Sequence, residues 1–119
     1  MANPNIVNVA TINGNTAVQA VGTSAAAIVT NSAASGKIYK INSLIIANID
    51  GTNGADITAD LYRSSTAYHL AKTVTVPADS TLVLLSKDTS IYLLEGDSLR
   101  LTASESSDLE AVCSWEEIS

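Results

Sequence analysis

Apolar and polar residues alternate with period two along most of this chain. In Ala55 to Leu61, Ala55, Ile57, Ala59 and Leu61 fall on one side, with Asp56, Thr58 and Asp60 on the other. Leu99, Leu101 and Ala103 alternate with Ser98, Arg100 and Thr102 in the same way. Leu109, Ala111, Cys113 and Trp115 share a face near the end of the sequence. This is the signature of half-buried β-strands. In Tyr39 to Ile49 the odd positions are mostly apolar, but so are Leu44 and Ile46. A strand apolar on both faces belongs in the middle of a sheet or under a cover.

The run Thr66 to Val76 places Tyr68, Leu70, Val74 and Val76 on one expected apolar face, broken by Lys72. A bulge or an exit to the rim is expected there. Thr81 to Leu85 and Ile91 to Leu94 complete the set. Thr23 to Val29, TSAAAIV, reads as a strand or irregular edge, with a short helix as the alternative. DGTNG (50–54), PADS (77–80), KDTS (87–90), EGD (95–97) and ESSD (105–108) punctuate the strands. DGTNG reads as a hairpin loop, and the short turns as links between antiparallel neighbours.

About eight short strands at this spacing predict an all-β fold: an antiparallel β-sandwich of jelly-roll or Greek-key type. The chain of 119 residues is the length of one domain. Residues 37–119 form the expected sandwich core. Residues 1–36, rich in Ala, Asn, Ser and Thr, read as a weakly patterned N-terminal arm or edge segment that packs on a neighbour.

Composition narrows the partners. Six Lys+Arg against twelve Asp+Glu give a net charge of -6. A nucleic-acid binder needs a basic stripe, and an anionic membrane surface also selects basic residues. Neither partner is expected. No apolar stretch approaches the length of a membrane span, and MANPNIVNVA lacks the pattern of a signal peptide. A single cysteine, Cys113, excludes an internal disulfide. A soluble chain made in a reducing compartment, or assembled before release, fits these features.

Four features could carry chemistry. Glu95 and Asp97 flank Gly96 and could act as a ligand or acid/base pair; the preferred reading is a solvated turn with Gly96 at positive φ. NIDGTNGAD (48–56) clusters hard oxygen donors as a calcium loop does, but lacks the closing glutamate of a helix-loop-helix site. His69, the only histidine, has no nucleophile signature or second histidine near it, so a sheet-face or interface role is preferred to a general base. Cys113 reads as a buried thiol. Trp115 reads as a core plug or interface anchor, with sugar stacking as the alternative. No catalytic, cofactor-binding or metal-ligating residue is assigned, and no cofactor is expected.

Three stretches carry a resemblance: KIYKINSLIIANIDG (37–51), AYHLAKTVTVPADSTLVLLSKDTSIYLLEGDSLRLTAS (67–104) and LEAVCSWEEIS (109–119). They resemble small all-β virion structural proteins of tailed phages, those of marine cyanophages among them. The resemblance covers most of the chain and is best after residue 37. It implies a non-enzymatic virion component, made in the host cytoplasm, that forms homo-oligomers and contacts other virion proteins. A capsid decoration or cement protein in many copies is the first expectation, with a major capsid protein as its partner. A tail, neck or fibre-associated component is the alternative. A carbohydrate-binding sandwich is the second alternative, and it requires Trp115 or a cluster of Tyr62, Tyr68 and Tyr92 exposed on one face.

Overall fold

A computed structural model describes residues 3–119. Among these residues the strands are β1 (Ile12–Ala20), β2 (Ala26–Thr30), β3 (Ile38–Asn48), β4 (Ala55–Arg63), β5 (Thr66–Val76), β6 (Thr81–Leu85), β7 (Ile91–Leu93), β8 (Ser98–Ala103) and β9 (Leu109–Ile118). A single 3-10 turn, Lys87–Thr89, separates β6 from β7.

The topology follows from one long antiparallel ribbon. The ribbon is folded back at Ser64-Ser65, which join β4 to β5 with φ of 52° and 61°. Outward from that turn, β3 pairs with β6 and β7, β2 with β8, and β1 with β9. Rolling the ribbon sends alternate pairs to opposite sheets. One sheet has the order β1-β9-β3-β6, with β7 also on β3; the other has the order β2-β8-β4-β5. These are two antiparallel sheets packed as a sandwich, with the nested pairing of a jelly roll. The strands β6 and β7 are two halves of one broken strand: Ala47 pairs Thr81, Leu44 pairs Leu85, and Ile41 pairs Ile91 farther along the same edge of β3.

The inner faces are those the alternation predicts. Ile57, Ala59, Leu99 and Leu101 from one sheet meet Ile41, Leu44, Ile46, Ala111 and Cys113 from the other. Phenylalanine is absent, so branched aliphatics and alanines fill the core. The strand β3 is central, flanked by β9 and by β6/β7, and a register break between Ile41 and Ser43 puts Ile41, Leu44 and Ile46 all on its inner face.

Three expectations change. The first concerns the N-terminal segment, for which the edge alternative, not the arm, describes the strands. Residues 12–20 and 26–30 are edge strands of the two sheets, and Val21, Val29 and Asn31 are buried. No structural break falls at 36/37, because the outermost ribbon pair closes the start of the sandwich onto its end. Residues 1 and 2 lie outside the described residues.

The second is the loops. DGTNG connects β3 in one sheet to β4 in the other, so it is a bridge between sheets rather than a hairpin. The same holds for PADS, EGD and ESSD. A few extended residues are enough to cross the roughly 10 Å between packed sheets, so a short turn does not by itself mean pairing.

The third is β5. Tyr68, Leu70 and Val74 are exposed, and Ala71 and Val76 supply the buried contacts. Two register breaks put Ala71 rather than Leu70 or Lys72 beside Ala59, while Tyr68 and Val74 pair Leu61 and Ile57 but stay exposed because β5 is an edge strand. Ile57 pairs Val74 and Ala59 pairs Ala71, so Lys72 and Thr73 bulge opposite Thr58. Thr73 takes φ 48° and its N–H is bonded to Thr58 Oγ1 at 3.0 Å.

Candidate functional site

The turn from β7 to β8 gathers the densest polar cluster. Gly96 takes φ 87°, the conformation its position required. The two carboxylates, however, are not solvated: Glu95 is 4% exposed and Asp97 1%. Asp97 accepts from Arg63 with both oxygens, Nε to Oδ1 at 2.8 Å and Nη2 to Oδ2, and Oδ2 also accepts from the Leu94 N–H at 2.8 Å. Glu95 Oε2 accepts from the Gly36 N–H at 2.9 Å.

Asn31, fully buried, ties the two ends of this cluster together. Its N–H bonds the Asp97 carbonyl and its own carbonyl accepts from Gly96 N–H. Its Nδ2 donates to the carbonyls of Lys37 and Leu93, both at 3.0 Å, and its Oδ1 accepts from Ser35 Oγ. The segment 31–37 therefore closes over the turn and takes it out of water. Burial of this kind is tolerated because each carboxylate meets N–H donors. The hydrogen bonds to Asp97 also hold the Arg63 guanidinium above its ordinary pKa.

A shallow cavity of about 320 Å³ opens beside the cluster, lined by Arg63, Ser64, Leu94, Glu95, Gly96 and Asp97. Asp97's oxygens are already engaged by Arg63 and Leu94, so the cluster acts as a clasp between β4, the β7–β8 turn and the segment before β3.

The calcium-like loop spends its oxygens on its own backbone. Asn48 Nδ2 donates to the carbonyls of Asn53 and Val76, and its Oδ1 accepts from Asp50 N–H. Asp50 Oδ1 accepts from the N–H groups of Thr52 and Asn53, which hold its carboxyl below the ordinary range. Asp56 Oδ1 accepts from Thr75 Oγ1 at 2.7 Å. Among the described residues no group of three His, Cys, Asp or Glu side chains is placed to hold a metal ion.

His69 is exposed on β5, in register with Asp60. Asp60 itself is bonded to Arg100 (Nε to Oδ1, 2.9 Å), and the Arg100 guanidinium lies 3.8 Å from the centre of the Tyr62 ring. Cys113 is fully buried, and burial pushes its thiol up to about 12. Trp115 is partly buried, stacks on Tyr39 at 6.2 Å and donates its indole N–H to Glu117. The three tyrosines do not form one face. Tyr62 and Tyr68 sit one register step apart on β4 and β5, so they project to opposite sides, and Tyr92 is in the other sheet.

What alternation alone missed is on the outer face of the larger sheet. Val18 pairs Val112, Val112 pairs Ile45, and Ile45 pairs Val83. These four β-branched side chains form a straight row across four strands, about 14 Å long at the usual strand spacing. Val18 is 77% exposed, Val83 59% and Val112 40%. The neighbouring positions on that face are mostly small: Thr16, Ser114 and Ser43 on one side of the row, Ala20, Glu110, Ala47 and Thr81 on the other. The signal was present in sequence as Val112 and Ile45 on the polar side of their strands, but only the register aligns them.

No family model and no curated protein matches the chain. Among solved structures, similarity is found to a chain of Bacillus endospore appendages, described as a novel family of disulfide-linked pili. The TM-score is 0.54 and the identity 17%, over 92% of this chain and 87% of that one. At this identity the likeness is one of fold. The single cysteine here is buried in the core, so a disulfide linking copies has no accessible thiol among the described residues.

Proposed function

We propose that this protein is a non-enzymatic structural subunit of a tailed-phage virion, present in many copies, with the capsid surface as its first place. The observation that carries the structural reading is the exposed Val18–Val112–Ile45–Val83 row on a face of small side chains. A contiguous apolar strip on a sheet face is what a protein that works by contact presents. The polar side chains most like a site, Glu95, Asp97, Arg63 and Asp60, are engaged in pairings within the fold. The virion setting is supported by the resemblance of residues 37–51, 67–104 and 109–119. The fold likeness to a pilus chain favours a tail or fibre component as the second reading.

The test is Val112→Lys. The site is exposed, so the variant keeps the fold and its thermal midpoint. Incorporation into particles, measured by quantitative mass spectrometry after gradient purification, is expected to fall sharply. Unchanged incorporation would remove the row from the account.

A further inference from the structure

The four sheet edges are not alike. A free edge invites pairing with another chain, and proteins blunt it with short strands, bulges, charge or interruption. The edge strand β2 has five residues and a register break between Ala27 and Val29. The edge strand β5 is bulged twice and carries Lys72. The remaining edge of the larger sheet is broken into β6 and β7 by the Lys87–Thr89 turn. By contrast, β1 has no such device. Its nine residues, INGNTAVQA, hold an unbroken register with β9 from Ile12 to Ala20 and contain no charged residue and no proline.

The backbone parity of β1 is fixed by its ends. Thr11 exchanges both hydrogen bonds with Ser119, and Val21 N–H donates to Leu109. Bonds to β9 therefore come from the odd residues, and the N–H and C=O groups of Thr16, Val18 and Ala20 point out of the sheet edge. A chain with net charge -6 brings no charge into contact along this strand.

We infer that β1 is a homotypic docking edge: it pairs antiparallel with β1 of a second copy about a twofold axis at Val18. This deepens the subunit reading above and rests on it. Each Val18 then meets its counterpart as a hydrogen-bonded pair, and Thr16 meets Ala20 on either side. In that register the apolar row of one copy runs on into the row of the other, so the outer face becomes one strip across a continuous sheet. A twofold contact is self-complementary and closes, which yields a dimer rather than a fibre.

The test uses the purified full chain. Analytical ultracentrifugation is expected to show a concentration-dependent dimer. Hydrogen exchange of the Thr16, Val18 and Ala20 amides is expected to slow by about tenfold once nine-tenths of the chain is dimeric. Thr16→Pro removes an outward N–H that an edge position can spare, and Val18→Lys places a charge at the axis. Both are expected to be monomeric with the parent's circular dichroism. Val83→Lys, on the same face but three strands away from β1, is expected to dimerise normally. A chain that stays monomeric at millimolar concentration overturns the proposal, and so does a dimer that survives Val18→Lys with the three amides still fast. A β1 dimer that is absent from purified particles would instead overturn the virion reading and leave this one standing.

Discussion

Asp97 is the residue on which the clasp at the β7–β8 turn depends. Removing its carboxylate leaves the Leu94 N–H and the Arg63 guanidinium without their acceptor. Asp97→Ala is expected to destabilise the fold by about 2–4 kcal/mol, since Arg63 is partly exposed and regains water. Urea denaturation checks this, and a change within experimental error would mean the clasp is ornamental. Cys113 makes a second prediction. Its folded thiol stays protonated up to about pH 12, against an ordinary value of 9.0. The unfolded chain therefore loses that proton first. The raised folded value gives a contribution to stability that is complete below pH 9 and is lost as pH rises from 9 towards 12. Cys113→Ala is expected to lack this part of the alkaline decline in thermal melts. Iodoacetamide is expected to label the parent only on unfolding. At this scale the sequence was legible for Cys113 and Gly96 but not for Glu95 and Asp97. Two acids beside a glycine look like a wet turn. What buries them, Asn31 and the segment ending at Gly36, is about sixty residues away and leaves no local trace.

Strand existence and inward faces were the legible part of the elements, because period two is a local property. The faces of β4, β8 and β9 follow it directly. In β5 the pattern fails as a guide to burial: two bulges put Ala71 in place of Leu70 on the inward side, and Tyr68 and Val74 stay exposed at the edge of the sheet. The sequence did mark one of them, at Lys72. The bulge holds Thr73 at φ 48°, a conformation disfavoured for a β-branched side chain. Thr73→Gly keeps the N–H that bonds Thr58 and is expected to stabilise the protein by about 1 kcal/mol, less what the added freedom of the unfolded chain takes back. A shift of the denaturation midpoint upward supports this; a clear loss would show that the threonine side chain contributes packing there. Loop destinations were not legible. The short links between β3 and β4 or β8 and β9 read like hairpins, and only the rolled ribbon shows that they change sheets.

Across the whole molecule, the nested pairing explains why an unremarkable N-terminal third is part of the sandwich. The strand β1 needs only β9 as a neighbour, so one edge and much of its outer face remain open, and its sequence carries little apolar signal. That open edge and the apolar row beside it are where the proposed contacts with other chains fall. Both are properties of register, visible only once the strands are aligned. Whether the chain is a repeated structural subunit is decided by locating it in purified phage particles by electron cryomicroscopy with a labelled copy. Regularly repeated density, contiguous from copy to copy on the capsid or along the tail, is predicted. Particles that lack the protein would contradict the account.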